Sequence, residues 1–205
     1  RKSDESDVGS GWKICWAIRP PSPPPTPRSP PPPPLPPLSP GFDVAAASED
    51  KLRSLITEAA ASQANVSIYL PSRADFKLGG QISCASDIKV TVASSGEGAT
   101  LDGKRETRLF YLSGGCSLTL RRLNLANGRS AGSGGVVYAY GAGEVEIIDS
   151  TVRDCSAGHD GGVVYAQDSG AVSIIGSNVS GCSAGNSGGV VYASYSESLS
   201  IAGVD

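Results

Sequence analysis

The sequence is poor in the residues that several protein classes require. No apolar run is long enough to cross a bilayer, so we expect no membrane insertion. Lys and Arg total 17 against 20 Asp and Glu, and residues 41–205 hold 12 of the former and 17 of the latter. Because nucleic-acid binding needs a basic face, that class is excluded. The single histidine, His159, and the absence of CxxC or Cys/His spacing leave no zinc motif.

Proline is nearly absent after residue 40, because 14 of the 15 prolines fall between Pro20 and Pro40. Consecutive prolines fix φ and remove backbone donors, which favours an extended polyproline II segment. We therefore interpret residues 20–40 as a proline-rich linker. Residues 1–19 are a disordered lead or the end of a preceding region, and residues 41–205 form the folded domain.

A six-residue segment recurs without change in the folded domain at a period of 27 residues. It reads GGVVYA and occupies residues 134–139, 161–166 and 188–193. A fixed period in this range indicates stacked supersecondary units. One period earlier, Tyr111 lies in a degenerate copy, LFYL, so four coils are visible.

Each period contains two further strand-like segments. One alternates apolar and polar residues, as a half-buried strand does, and its apolar columns are Leu118, Val145, Val172 and Leu199, and Leu120, Ile147, Ile174 and Ile201. The other reads TVRDC at 151–155 and NVSGC at 178–182. Three short strands per coil, with turn residues between them, predict an all-β, right-handed parallel β-helix.

An amphipathic helix precedes the repeats. Ser48 is its predicted N-cap, and its apolar face is formed by Leu52, Leu55, Ile56, Ala59 and Ala60. We expect this helix to cap the open first coil, followed by strands at 66–70, 75–78 and 88–92. In the repeats, Phe110, Leu112, Val137 and Ala139 are predicted to point inward. The chain ends at 199–201 within a coil, so we expect the natural protein to continue past Asp205.

The chain resembles the opening coils of pectin-lyase-like β-helix proteins in the order of its segments. This order is the helix, VSIYLP at 66–71, IKVTV at 88–92, LDG at 101–103 and LTL at 118–120. The GGVV and VxxC segments also resemble the GGAI and FxxN repeats of chlamydial polymorphic outer-membrane proteins. The Ser-Pro and Pro-Pro runs resemble hydroxyproline-rich cell-wall glycoproteins of green algae and plants. These resemblances imply a β-helix fold and an extracellular or cell-wall location, but that superfamily includes enzymes, adhesins and structural proteins.

Catalytic motifs of this superfamily are missing from the coils. A lyase would need clustered acids to hold calcium, and an inverting hydrolase needs paired carboxylates. Residues 27 apart are predicted neighbours, yet Asp149, Asp154, Asp160 and Asp168 each face non-acidic residues, and so do Glu144 and Glu146. We predict no catalytic residue, no metal ligand and no cofactor here. Calcium is expected only if the protein is a lyase.

The five cysteines are an odd number, so at least one is free or pairs outside the chain. Cys155 and Cys182 share a column and are predicted to stack inward as thiols, because in-register strands orient their Cβ atoms poorly for a disulfide. Cys84 and Cys116 have no evident column partner. The sequons at Asn65 and Asn178 are candidate N-glycosylation sites in a secreted protein.

The outward column of the repeat, Tyr111, Tyr138, Tyr165 and Tyr192, is the candidate glycan-binding site. An aromatic row at coil spacing offers flat faces on which sugar rings stack, although stacked tyrosines also stabilise a solenoid without any ligand. One basic cluster, Lys104, Arg105, Arg108, Arg121 and Arg122, is a candidate contact for an acidic glycan or a solvated surface.

Together these observations favour a non-catalytic extracellular or cell-wall module that binds polysaccharides or matrix glycoproteins. Two alternatives stay open. One is a polysaccharide-active enzyme, a pectate-lyase-like protein or a glycoside hydrolase, whose catalytic residues lie beyond residue 205. The other is a surface adhesin. Because the sequence starts with Arg1, we expect any signal peptide to lie outside it.

Overall fold

The computed structural model describes residues 44–203. The predicted lead at 1–19 and the predicted linker at 20–40 lie outside the described residues. Residues 44–203 form a parallel β-solenoid of about six turns with about 27 residues per turn and one helix, which confirms the predicted fold class.

The first coils contain the helix and six short strands. In chain order these elements are β1 (Val44–Ala45), α1 (Glu49–Ser62), β2 (Val66–Tyr69), β3 (Asp75–Lys77), β4 (Ile82–Cys84), β5 (Lys89–Ala93) and β6 (Ala99–Asp102). Strands β2, β3 and β5 match the predicted strands, whereas β1 and β6 were not predicted, nor was β4. Its two inward residues, Ile82 and Cys84, are separated by only one polar residue, which is too short a pattern to recognise.

The remaining coils repeat four short strands. They are β7 (Phe110–Leu112), β8 (Ser117–Arg121), β9 (Leu123–Ala126), β10 (Arg129–Ser130), β11 (Val137–Tyr140), β12 (Val145–Ile148), β13 (Thr151–Arg153), β14 (Ser156–Ala157), β15 (Val164–Gln167), β16 (Val172–Ile175), β17 (Asn178–Ser180), β18 (Ser183–Ala184), β19 (Val191–Ser194) and β20 (Leu199–Ala202).

Parallel pairing between successive coils produces four sheets. The first sheet has the order β1-β2-β5-β8-β12-β16-β20, the second β3-β6-β9-β13-β17, the third β4-β7-β11-β15-β19 and the fourth β10-β14-β18. The first three correspond to the predicted three strands per coil. The fourth sheet, whose strands have two residues each, was missed because such short strands have no alternation to detect.

The predicted apolar columns form the core. Val145 pairs with Leu118 and Val172, and Ile147 pairs with Leu120 and Ile174, so residues with the same character lie directly above one another. The four residues predicted to point inward in the third sheet are each at most 1% exposed, and they are Phe110, Leu112, Val137 and Ala139. Each coil therefore supplies apolar surface that covers the next.

The glycine pair of the repeat is required by close approach of neighbouring coils. The first glycine has a positive φ, for example 67° in Gly161, which other residues rarely adopt. At the second glycine, a Cβ on Gly135 would lie 2.2 Å from the carbonyl oxygen of Gly162, and a Cβ on Gly162 would lie 2.1 Å from that of Gly189. A side chain at this position would therefore push two coils apart.

Buried serines link the coils where the first sheet turns into the second. Ser150 Oγ accepts a hydrogen bond from Leu123 N–H at 3.2 Å, and Ser177 Oγ accepts one from Ser150 N–H at 3.1 Å. Each acceptor lies 27 residues after its donor. These hydroxyls satisfy backbone groups at the turn, which would otherwise be buried without a partner.

Helix α1 begins as its sequence predicts. Ser48 is the N-cap and accepts a hydrogen bond from Lys51 N–H at 3.3 Å, while Gln63 ends the helix in the left-handed conformation. The apolar face, including Leu52 and Ile56, is buried in the solenoid core. The helix covers the apolar interior of the first coil, as predicted.

Polar contacts attach α1 to the loop before β4. Arg53 donates hydrogen bonds to the carbonyl oxygens of Gly80 and, at 2.7 Å, of Gln81. Glu49 Oε1 accepts from Gly79 N–H at 2.9 Å and from Arg53 Nε at 2.7 Å. Partial burial raises the pKa of Glu49, but the hydrogen bonds from Gly79 and Arg53 outweigh this effect, so the pKa lies below its ordinary value.

Candidate glycan-binding site

The four predicted tyrosines form a continuous ladder along the third sheet. In the register of β7, β11, β15 and β19, Tyr138 pairs with Tyr111 and Tyr165, and Tyr165 pairs with Tyr192. Their side chains point outward because the residues on either side of each tyrosine face the core. Tyr111, Tyr138, Tyr165 and Tyr192 are called the tyrosine ladder below.

The rings of the tyrosine ladder stack face to face. Neighbouring centroids are 5.3, 5.0 and 5.3 Å apart, and the interplanar angles are 8°, 12° and 3°. Each residue is partly exposed. Because each ring covers the face of its neighbour, a ligand along the ladder meets ring edges and hydroxyl groups. The expected stacking of sugars on open faces is therefore restricted to the two ends of the row.

Arg108 covers one side of the tyrosine ladder. Its Cζ atom lies 4.9 Å from the centroid of the Tyr138 ring, within the range of a cation–π contact, and its guanidinium donates a hydrogen bond to Ser130 Oγ at 2.7 Å. Desolvation lowers the pKa of Arg108, against the opposing influence of Tyr138 and Tyr111. The side chain stays cationic at neutral pH, since arginine pKa values are far above 7.

Tyr165 is held by a hydrogen bond within its own strand. Its hydroxyl donates to Gln167 Oε1 at 2.5 Å. Partial burial, together with the neighbouring tyrosines and the negative charges of Asp160 and Asp168, raises the pKa of Tyr165. The hydroxyl is therefore neutral at physiological pH, and because its proton is donated to Gln167, it can serve a polar ligand only as an acceptor.

The predicted basic cluster does not form one patch. Arg121 and Arg122 lie 3.9 and 4.0 Å from Asp149, at the end of the first sheet. Lys104 contacts Glu106 at 3.7 Å. Arg108 contacts the tyrosine ladder, and Arg105 lies in a groove beside the fourth sheet. The five side chains thus make separate contacts, even though Lys104 and Arg105, and likewise Arg121 and Arg122, are consecutive in the chain.

Three of the aspartates that were tested as catalytic candidates occupy turn positions with positive φ. The angles are 49° in Asp149, 56° in Asp154 and 50° in Asp168, and the equivalent Gly176 and Gly181 have φ of 57° and 63°. Short polar side chains and glycine tolerate this left-handed conformation best. These acids are therefore explained by backbone geometry.

The remaining acids of the repeats have no acidic neighbours in their columns. Glu146 pairs with Thr119, which donates a hydrogen bond to it at 2.8 Å, and with Ser173 on the other side. Asp160 Oδ1 accepts from Ser187 N–H at 3.0 Å. Within residues 44–203, no three His, Cys, Asp or Glu side chains are grouped as metal ligands.

His159 lies in an exposed turn, as predicted. Its N–H donates to Gly132 O at 3.0 Å, and its carbonyl accepts from Asn186 N–H at 2.8 Å. These are the two residues that the 27-residue period makes its neighbours. The backbone of His159 therefore bonds to the equivalent turn residues of the preceding and the following coil.

A disulfide joins Cys84 and Cys116, for which the repeat offered no column partner. Their Cα atoms are 6.1 Å apart. Cys84 pairs in register with Leu112, and Cys116 follows the turn after that strand, so the bond crosses a corner between two coils. Column reasoning missed it because the two cysteines occupy different columns.

Cys155 and Cys182 are both free thiols in one column, as predicted. Cys155 is fully buried, and Cys182 is partly buried against the core. The Cys155 thiol donates to Arg153 O at 3.3 Å and the Cys182 thiol to Ser180 O at 3.4 Å. The interaction between the two thiols lowers the pKa of Cys182 to about 7 despite desolvation, and the same interaction together with burial raises the pKa of Cys155.

Both sequon asparagines are exposed. Asn178 begins β17 with its side chain outward, and Asn65 precedes β2. The Asn65 Oδ1 atom accepts a hydrogen bond from Lys89 N–H at 2.8 Å, so its amide nitrogen stays on the solvent side of this contact. Either amide nitrogen is accessible for a glycan.

Among the described residues, no helix combines the length and the apolar character that a bilayer crossing needs. Comparisons of the chain with protein-family models, with curated proteins and with solved structures found no match. The fold and the tyrosine ladder therefore rest on the sequence repeat and the structure.

Proposed function

We propose that this protein is a non-catalytic, extracellular or cell-wall-associated module of the pectin-lyase-like β-helix type, which binds polysaccharide or matrix glycoproteins. The observation that carries this proposal is the partly exposed tyrosine ladder, whose rings follow one another at 5.0–5.3 Å. This spacing is close to the advance of one pyranose residue along an extended polysaccharide. A sugar chain lying along the ladder would meet one phenol group per residue.

The amphipathic edge of the tyrosine ladder suits carbohydrates. Sugars present C–H groups and hydroxyls side by side, and tyrosine ring edges and hydroxyls offer apolar and polar contacts in the same arrangement. Because the strands and the stacked rings fix the side chains before binding, little conformational entropy is lost when a glycan is bound. A rigid, repetitive ligand therefore fits this surface better than an irregular one.

Support for the extracellular location comes from covalent chemistry. The Cys84–Cys116 disulfide is typical of oxidising compartments. The exposed sequon residues Asn65 and Asn178 suit the same compartment. The proline-rich sequence at 20–40 has the composition of a spacer, which would hold the solenoid away from its point of attachment.

Support for a binding role comes from the acidic residues of the coils. Hydrolysis of a glycosidic bond usually needs two carboxylates placed around the scissile bond. Asp149, Asp154 and Asp168 occupy left-handed turn positions that glycine also fills in other coils, so backbone geometry accounts for them without a catalytic role.

The test is to incubate the full chain with a panel of neutral and acidic polysaccharides, with and without calcium. Retention on each insoluble polymer and release of reducing or unsaturated ends are measured together. We expect retention without release. Turnover of any polymer would replace this proposal with the enzyme alternative, and binding to intact cells but to no polysaccharide would favour the adhesin alternative.

Variants of the tyrosine ladder identify the surface. Tyr138→Phe with Tyr165→Phe keeps the stacked rings and removes two hydroxyls, so we expect weaker retention, with thermal stability lowered only by loss of the Tyr165–Gln167 hydrogen bond. Tyr195→Asn is the matched control, because Tyr195 is 83% exposed and lies outside the ladder. Equal retention by the ladder variant and the control would show that these tyrosines only pack against one another.

A further inference from the structure

A polar groove runs along the fourth sheet, beside the tyrosine ladder. The outward column of this sheet is Arg129, Ser156 and Ser183, since these residues pair in register in β10, β14 and β18. Two adjoining cavities of roughly 430 and 300 Å³ lie over it, and both are lined by Arg105, Arg129 and Ser156. We call Arg105, Arg129, Ser156 and Ser183 the arginine–serine groove.

The arginines of this groove have no acidic partner among residues 44–203. No carboxylate lies within ion-pair distance of Arg105 or Arg129, and both residues are exposed. The two acids that line the cavities each contact another cation, Glu106 with Lys104 at 3.7 Å and Asp154 with Arg153 at 3.9 Å. The guanidinium groups therefore keep donors available for a ligand.

The position of Arg105 is fixed by its backbone. Its N–H donates to Asn127 O at 2.8 Å, and its Nε atom lies 3.5 Å from Asn127 Oδ1. Arg129 is held in β10 by the strand pairing with β14. Arg105, on its turn, and Arg129, in β10, thus line the same cavities as the hydroxyl-bearing Ser156.

We propose that the arginine–serine groove binds oxyanionic substituents of a polysaccharide, either carboxylates or sulfate esters. Guanidinium groups match the geometry of such anions, and serine hydroxyls add donors to the remaining oxygens. A cavity of this size accommodates a substituted sugar residue. This inference deepens the proposed function and rests on it, because it assumes that the ligand is a glycan.

The groove and the tyrosine ladder are adjacent, so one polymer can contact both. The Arg108 guanidinium joins them, with Cζ 4.9 Å from the Tyr138 ring centroid and a hydrogen bond of 2.7 Å to Ser130 Oγ. Ser130 lines the groove from β10. A third cation therefore lies on the path between the two surfaces, which extends the preference for anionic chains.

The experiment compares three polymers that share one backbone, namely dextran, dextran sulfate and carboxymethyl dextran of equal length. Affinity for the full chain is measured by calorimetry at several salt concentrations. We expect tighter binding of at least one charged polymer than of dextran, and its affinity should fall as salt rises. The sulfated and carboxylated arms identify which oxyanion is preferred.

Variants separate the groove from general charge effects. Arg105→Ala with Arg129→Ala should weaken binding of the preferred polymer by about tenfold, as expected when charge-assisted hydrogen bonds are lost. Arg121→Ala with Arg122→Ala removes the same charge from the surface near Asp149 and should change affinity by less than about twofold. Circular dichroism checks that both double variants fold.

Three results would overturn the inference. Equal losses in the two double variants would mean long-range attraction only, and equal affinity for dextran and both charged polymers would mean that the groove does not select oxyanions. Failure to bind either charged polymer would also refute it. The proposed function is judged separately, because it depends on the tyrosine ladder variants and on retention of the wider polysaccharide panel.

Discussion

Replacing Gly162 with alanine tests how closely the coils stack. The new Cβ would lie 2.1 Å from the carbonyl oxygen of Gly189 and 2.5 Å from that of Ser183, whereas ordinary contacts are 3.4–4 Å. The coils must therefore separate locally by roughly 1 Å. That movement also weakens the 2.9 Å hydrogen bond from Gly162 N–H to Gly188 O. Overpacking and a weakened hydrogen bond together predict a loss of about 3 kcal/mol.

Gly189→Ala in the same 205-residue chain is the matched control, because this glycine occupies the same position of the repeat and its Cβ would meet no atom of residues 44–203 within 4 Å. We expect it to be neutral or to stabilise by about 0.5 kcal/mol, through reduced freedom of the unfolded chain. Urea unfolding followed by circular dichroism measures both variants. If Gly162→Ala is as stable as Gly189→Ala, the close approach of neighbouring coils at this glycine is wrong.

Three further predictions concern single contacts. Ser177→Ala should lower the free energy of unfolding by about 1–3 kcal/mol, because Ser150 N–H loses its buried acceptor. Ser177→Thr is the control, because it keeps the hydroxyl. Because the pKa of Glu49 is lowered, its contact with Arg53 stabilises the fold above pH 4.5, and this stabilisation is lost as the pH falls below that value. Glu49→Gln should therefore reduce the pH dependence of the free energy of unfolding in acid. An unchanged pH dependence would contradict this. The alkylation rate of Cys182 should rise with pH with a midpoint at about 7, because its pKa is lowered. Mass spectrometry after cleavage at aspartate assigns the alkylated cysteine. A midpoint near 9 would contradict the interaction with the buried Cys155 thiol.

The sequence predicts the later coils well because their period is constant. Once the 27-residue repeat is recognised, it predicts which residues are neighbours, including the tyrosine ladder and the thiol column. In the first coils the spacing varies. Val66 pairs with Val90, 24 residues on, and Val90 pairs with Leu118, 28 residues on. An extrapolated period therefore fails there.

Side-chain surroundings could not be predicted from the repeat in the same way. Period and phase place the tyrosines in one outward column, but only the structure gives the ring planes and shows that each ring covers the next. The arginine–serine groove depends on Arg105, which lies on a turn, and on Arg129 in β10, and neither arginine recurs one period later in the sequence. Such features arise where the repeat is broken, and sequence periodicity carries no information about them.

The contrast between positions that follow the repeat and positions that do not suggests how stability and recognition are separated in the molecule. Inward columns, the glycine pairs and the buried serines follow the repeat, because every coil must satisfy the same packing and hydrogen-bonding requirements. Outward positions are free of that requirement, so Arg129 can occupy the same column as Ser156 and Ser183. An outward residue that recurs, as each tyrosine of the ladder does, indicates either cross-coil packing or a repetitive ligand. The hydroxyl-only variants distinguish these two causes, because they change the ligand-facing edge and leave the stacked faces intact.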